Sequence, residues 1–280
     1  MTPKQINLSD WTLFGGGGQG DSYNHKTDPA LMLKLFLADY PIKSVTDELE
    51  ISQRIYDLGI PTPKPVEFVM ADGRPGIVFE RIQNKISFSR AYANDSSLLD
   101  SLADRFAKIG RQIHATKADR EHFNSMHKLF RFYMDEDPIL TEEHRELCER
   151  ALALIPEGDT CVHGDFHIGN VITDGSKDYL IDLGTFGYGR PEWDLSMFWF
   201  CANMTPAYKS DELFHLTPEQ MQIFWDVFAD KYYGDKRPAG DAFLPMFAPY
   251  IVLRTLFFDV SCGGRDPIPP MIRGKLAELI

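Results

Sequence analysis

Cysteine is scarce. There are four in 280 residues, Cys148, Cys161, Cys201 and Cys262, and none forms a C-x-x-C pair. That excludes a disulfide scaffold and predicts reduced thiols in a cytoplasmic protein. Long apolar runs are also missing. The longest charge-free stretches, Leu195–Tyr208 and Ala242–Leu253, both contain proline and are too short to span a bilayer. The N-terminal MTPKQINLSDW lacks the basic segment and apolar run of a signal peptide. Basic residues are outnumbered, 29 against 41 acidic, for a formal net charge of −12. A chain this acidic is poorly suited to holding nucleic-acid phosphates. There is no internal repeat, and the low-complexity sequence is limited to one glycine run. What remains is ordinary globular composition, 44% hydrophobic and 25% charged, which excludes a disordered tail or a fibre. A soluble protein with no nucleic-acid or membrane partner is expected.

Two halves differ in pattern. Residues 1–82 read as short strands around one helix, and residues 83–280 as mostly helical with a hairpin near residue 170. In the first half, strands are predicted at Trp11–Phe14, Leu31–Phe36, Val66–Met70 and Gly76–Ile82, the last two flanking an Asp72-Gly73 turn. A polar, turn-prone stretch is expected over Asp21–Pro29. The helix predicted over Ser44–Leu58 carries Val45, Leu49, Ile55 and Leu58 on one face and stops at Gly59 and Pro61. In the second half, helices are predicted at Leu98–His114, Glu142–Ile155, Trp193–Cys201 and Pro218–Tyr232. Val171–Thr173 and Tyr179–Ile181 form a hairpin around Asp174-Gly175.

The glycine run fits two phosphate-binding templates. Gly15, Gly17 and Gly20 have G-x-G-x-x-G spacing. A Walker A loop is ruled out because Asp21-Ser22 stands where its lysine belongs. A Rossmann turn needs a helix next, and a strand follows instead. Strand, glycine loop, strand is the order of a flap over nucleotide phosphates; alone, it equally describes a loose surface hairpin. Lys34 is the only charge between Asp28 and Asp39 and shares a strand face with Met32 and Phe36. It could hold phosphate oxygens as a point charge, or simply discourage edge pairing. A half-buried lysine needs a carboxylate. Glu48 borders the apolar stripe of the following helix, whereas Glu50 lies with Gln53 and Arg54 on its wet face, so Glu48 is the expected partner.

The most informative segment is His163-Gly164-Asp165-Phe166-His167-Ile168-Gly169-Asn170, followed by Ile181-Asp182-Leu183-Gly184. Asp165 could accept a proton from a hydroxyl. Asn170 and Asp182 offer the hard oxygens that Mg²⁺ prefers, and the hairpin would return Asp182 to Asn170. Cys161, His163 and His167 could suggest zinc, but no fourth ligand pattern is nearby. His163 is expected to pack behind the loop, His167 to tune or line the site, and His114 to pack.

With these residues in place, the chain resembles the aminoglycoside phosphotransferase/choline kinase family, a branch of the protein-kinase-like fold. The family pattern H-G-D-x-x-x-x-N with a later I-D-x-G reads here as HGDFHIGN and IDLG. The resemblance spans nearly the whole chain. It implies an α+β fold of two lobes, a small antiparallel-sheet N-lobe (residues 1–82, nucleotide-binding) and a larger, mainly helical C-lobe (residues 83–280, with the catalytic loop and substrate pocket). It implies Asp165 as catalytic base, Asn170 and Asp182 as Mg²⁺ ligands, and Lys34, held by Glu48, on the ATP phosphates. Backbone around Glu80–Ile82 would receive adenine. Asp194 would accept backbone hydrogens from the catalytic loop, with His163 packed in support. The glycine run is richer than usual in the family, and Leu183 stands where many members carry Trp or Phe. The expected activity is ATP-dependent phosphorylation of a small-molecule hydroxyl; the competing expectation is a nucleotide-binding regulatory module without turnover. From residue 83 on, 21 basic and 30 acidic residues give a net charge of −9, which leans toward a cationic acceptor such as an aminoglycoside or choline over a neutral sugar. Acidic and aromatic residues of this half, such as Trp193, Trp199, Asp259 and Asp266, could receive an amine.

Overall fold

Apolar runs bounded by turn residues become strands in the first part of the chain. In the computed structural model, which describes residues 2–17, 20–136, 140–261, Glu278 and Ile280, these are β1 (Lys4–Gln5), β2 (Trp11–Gly17), β3 (Gly20–His25) and β4 (Leu31–Phe36). Helix α1 (Ile42–Asp57) follows, then β5 (Pro65–Ala71), β6 (Arg74–Glu80) and the short β7 (Ile86–Ser87). Onward come α2 (Phe88–Asn94), α3 (Leu99–Ala115), α4 (Met126–Glu136), α5 (Glu142–Leu154), β8 (Thr160–Val162), β9 (Val171–Thr173), β10 (Asp178–Leu180) and β11 (Gly187–Gly189). The chain continues through α6 (Glu192–Asn203), α7 (Ala207–Phe214), α8 (Pro218–Tyr233) and α9 (Phe243–Ser261). Cys262 and Asp266, and the side chain of Asp259, lie outside the described residues.

Contacts divide the chain into two units, Met1–Phe88 with Asn170–Gly184, and Ser89–Gly169 with Thr185–Ile280. The β9–β10 hairpin therefore groups with the sheet unit, although it is flanked in sequence by the helical one. It is tied there by β7, which pairs antiparallel with β9, and by the Leu180 N–H donating to the Pro61 carbonyl at 2.7 Å.

The main sheet has the order β1-β5-β6-β4-β3-β2. It is antiparallel except where β1 joins β5 in parallel. Period-2 alternation gives it two apolar faces. Trp11, Leu33, Leu35, Val69 and Val78 pack on one, while Phe36, Phe68 and Ile77 pack under Val45 and Leu49 of α1 on the other. Residues 21–25, expected as a polar turn region, are instead strand β3. Their side chains are half-buried, and the backbone is laddered on both edges, to β2 and β4. Cross-strand hydrogen bonding here outweighs a composition with little strand preference. Helix α1 is capped by Leu58, and Gly59 takes the left-handed conformation (φ +74°) that a helix C-terminus favours.

The second unit has an aromatic core. Phe106 of α3, Phe198 of α6 and Phe224 and Phe228 of α8 are buried, with Phe106 5.2 Å from Phe198 and 5.0 Å from Phe228. Helix α8 starts with a capping box in which Thr217 and Gln220 satisfy each other's backbone N–H. Among the described residues, no helix is long and apolar enough to cross a membrane.

Candidate active site

In the sheet unit, Lys34 sits on β4 between β3 and β6, on the α1 side. Its Nζ donates to both carboxylate oxygens of Glu48, at 2.8 and 3.1 Å, and lies 4.6 Å from the centre of the Phe36 ring. Both side chains are partly shielded, 27% and 16% exposed. Glu50 is 55% exposed and pairs with Arg54 one turn along the helix, at 2.8 Å. The wet and inward carboxylates of α1 are thus separated as its apolar stripe dictates. Tyr40, just before α1, stacks on Phe36 with ring centres 4.8 Å apart. Burial pushes its hydroxyl pKa up, and the negative charges of Glu48 and Asp182 push it further. Negative charge from α1 and from the end of the β9–β10 hairpin therefore acts on one tyrosine.

The glycines belong to the β2–β3 hairpin. Gly15 pairs with Ser22 beyond a register shift, and Gly17 pairs with Gly20. Gly20 (φ +155°) is required for close approach, because a Cβ there would collide with the Leu35 carbonyl of β4. Asp21 accepts from Arg74 at 2.7 Å, and Arg74 also donates to the carbonyls of Phe36 and Leu35 at 2.8 and 3.1 Å. This fork pins the hairpin, close to its turn, to β4. At the end of β6 the Glu80 N–H donates to Lys64 O (2.8 Å) and the Arg81 N–H to Ala30 O (2.7 Å). Glu80 is exposed and Ile82 is buried.

Asn170 and Asp182 flank the second hairpin. Leu180 pairs with Val171, and the Ile181 N–H donates to the Asn170 carbonyl at 3.0 Å, so the two candidate ligands are neighbours across the ladder's end. Asn170 is buried and Asp182 is exposed with φ +61°. A left-handed aspartate is uncommon and costs about 1 kcal/mol or more. The donor set, one carboxylate and one amide carbonyl, suits Mg²⁺.

In the helical unit, residues 164–169 alternate between buried and partly exposed. Phe166 and Ile168 are fully buried, whereas Asp165 and His167 are partly exposed. Phe166 stacks on Phe106 with ring centres 4.2 Å apart, an anchor worth roughly 1.5–3 kcal/mol. The Asp165 N–H donates to Nδ1 of the buried His163 at 3.2 Å. His167 accepts the Gly169 N–H on Nδ1 (3.1 Å) and presents Nε2 3.5 Å from the Asp165 carboxylate. Burial alone would raise the Asp165 carboxyl. His167, His163 and Arg254 outweigh it and hold the carboxyl well below the usual range.

Asp194, in the first turn of α6, is fully buried. It accepts the N–H of His163 and of Gly164, both at 2.8 Å, and Nε2 of His114 at 3.0 Å. His114, expected only to pack, is therefore a third donor, and the Tyr232 hydroxyl completes the chain at 2.7 Å from His114 Nδ1. Burial tends to raise the Asp194 carboxyl, but these donors, His114 first, bring it below its ordinary value. Gly164 is left-handed (φ +84°), and a Cβ there would collide with the Thr185 carbonyl.

Trp193 does not line a pocket. It is fully buried and stacks on Phe130 with ring centres 4.9 Å apart. Trp199 is only 9% exposed and packs near Phe247. Neither ring is free to receive an amine, because α6 is packed on every side and buries both. Sequence patterning missed Tyr40, Tyr232 and Arg254. For Arg254 a signal existed: it is a lone cation directly after the charge-free Ala242–Leu253.

Solved structures share this architecture. An aminoglycoside phosphotransferase, a thermostable mutant of APH(4)-Ia in ternary complex with ADP and hygromycin B, superposes with TM-score 0.63 at 12% identity, covering 97% of this chain and 92% of the other. Amicoumacin kinase hAmiN, in complex with AMP-PNP, Ca²⁺ and Ami, gives 0.59 at 15% identity over 99% and 89%. The choline kinase LicA from Streptococcus pneumoniae gives 0.57 at 18% identity over 95% and 92%. No curated protein matches at the level of sequence. The fold is protein-kinase-like, with a sheet-based N-terminal part and a mainly helical remainder. The model of the phosphotransferase enzyme family matches residues 10–221. The chain thus belongs to the phosphotransferase enzyme family.

Proposed function

We propose that the protein is a kinase that moves the γ-phosphate of ATP to a hydroxyl of a small molecule. The observation that carries this is the Asp165 turn. A carboxylate kept ionised, on a backbone pinned by a buried aspartate, is suited to accept the acceptor's proton and hold its oxygen in line. Lys34, oriented by Glu48, holds phosphate oxygens as a point charge. The Gly15, Gly17 and Gly20 hairpin lies over the phosphates, where backbone without side chains can approach closely. Adenine is received by backbone at Glu80–Ile82; since the amides of Glu80 and Arg81 are already used, their carbonyls and the Ile82 amide are the groups assigned to it. Asn170 and Asp182 would hold Mg²⁺, which when bound neutralises phosphate charge. Residues 1–82 serve the nucleotide, and residues 83–280 carry the catalytic loop and the acceptor site. The acceptor class is an amino-sugar, an amino-alcohol or a sugar, with net charge favouring the cationic ones. Cys148, Cys161 and Cys201 are buried thiols that form no disulfide among the described residues, which supports a cytoplasmic setting.

Two variants test the nucleotide side. Asp182→Ala should abolish the Mg²⁺-dependent part of the stabilisation given by ADP, which at a hundred times Kd amounts to about 2.7 kcal/mol. A thermal shift equal in wild type and variant would contradict the assignment. Glu48→Gln should reduce turnover sharply with little change in melting, because the lysine loses its orienting charge. Glu50→Gln removes an exposed helix pair worth ~0–1 kcal/mol and should stay near wild type. The reverse order would remove Glu48 from the account.

A further inference from the structure

Arg254 of α9 is fully buried. It lies beyond residue 221, where the match to the family model ends. Its Nη1 donates to the Gly164 carbonyl and its Nη2 to the Trp193 carbonyl, both at 2.5 Å. Its Nε makes no hydrogen bond among the described residues, and no described carboxylate forms an ion pair with it. The guanidinium lies 5.5 Å from the Phe130 ring centre and 6.0 Å from that of Trp193. Burial lowers its pKa, while Asp194 and Asp165 counter this through space.

A buried guanidinium that no described carboxylate pairs with directly is expensive. A methionine would fill similar space with no charge to desolvate. What the fork adds is two donors at a fixed angle, and the carbonyls it meets are those of the residues directly before Asp165 and Asp194. Asp194 in turn holds the Gly164 N–H. Gly164 is thus gripped at its N–H by Asp194 and at its carbonyl by Arg254, and Arg254 is braced on the turn that carries Asp194.

We propose that Arg254 is a positioning residue that fixes the Gly164–Asp165 peptide and so aims the Asp165 carboxylate. This rests on Asp165 being the acceptor-facing carboxylate. A lysine has the charge but not the fork, so it cannot satisfy both carbonyls in the same way.

The test compares Arg254→Met, Arg254→Lys and a control, Ile251→Ala, which truncates a fully buried residue of the same helix. Melting temperature, amide hydrogen exchange over residues 161–169, and kcat and KM for ATP are measured on each. Both Arg254 variants should fold, exchange Gly164 and Asp165 amides about tenfold faster or more, and lose kcat by ~10–10²-fold, with KM for ATP within about twofold, as expected for a displaced reacting group. Ile251→Ala should melt lower yet keep kcat and loop exchange. Wild-type exchange and kcat in either folded Arg254 variant would overturn the proposal. If Arg254→Met does not fold, Arg254→Lys decides it. If the wild-type protein turns over no acceptor, the kinase assignment fails, while unchanged exchange in the loop would separately sink the clamp.

Discussion

Asp165→Asn is expected to lower phosphoryl transfer by ~10²–10⁴-fold, the usual span for loss of a general base, with nucleotide binding retained. The asparagine keeps the volume and can still sit on the turn made by His163, Phe166 and Asp194, but it cannot take up a proton. The carboxyl is held well below its ordinary range by His167, His163 and Arg254 against the opposing effect of burial. Asp165 is therefore ionised at any pH above the usual carboxylate value of about 4. Its protonation should leave no acid limb in the neutral range, and the defect of the asparagine variant should be the same size at pH 6 and pH 8. Steady-state turnover at both values checks this. A variant with wild-type kcat would remove Asp165 from the chemistry.

The second large effect is on stability. Asp194→Asn should cost roughly 3–5 kcal/mol, the range for breaking a buried charge cluster from one side, out of a typical total of about 5–15. The amide would present one acceptor oxygen where the carboxylate serves the N–H groups of His163 and Gly164 and the ring of His114. It would also remove the negative charge that acts most strongly on the buried Arg254 guanidinium. The sign with pH follows from the depressed folded-state pKa. The unfolded carboxyl binds its proton first, so the contribution of Asp194 is complete above about pH 4 and is lost as pH falls through the lower folded value. Urea unfolding between pH 3 and 7 should show wild-type stability rising with pH and a flatter curve for Asp194→Asn. A loss below ~1 kcal/mol at pH 7 would contradict the role given to this aspartate.

Much of the geometry of the candidate site is legible in the sequence because two signals coincide in it. The helical stripe of α1 separates Glu48 from Glu50, and the ion pair to Lys34 follows the stripe. The fixed spacing from Asp165 to Asn170, with a hairpin before Asp182, could be read directly because short turns leave the chain few alternatives. Three features were illegible for identifiable reasons. Strand β3 is polar and Gly-initiated, and its identity comes from neighbours on both edges. Residues 193–202 of α6 are all buried and α9 is strongly apolar, so no stripe marks which residues face inward; Trp193 belongs to the core and is not open to an amine, and Pro249 inside α9 hides the helix from its sequence pattern. The affiliation of residues 170–184 with the sheet unit depends on long-range ladder bonds to Pro61 and β7, which no local pattern announces.

The most direct test of the central claim is ADP release from Mg²⁺-ATP by wild-type protein and Asp165→Asn, measured side by side with amino-sugars, amino-alcohols and simple sugars as acceptors. A small-molecule kinase should release ADP with at least one acceptor, in step with appearance of the phosphorylated product, and the variant should do so ~10²–10⁴-fold more slowly. Nucleotide binding by both proteins, with no acceptor raising wild-type ADP release above that of the variant, would contradict it and leave a nucleotide-binding module without turnover.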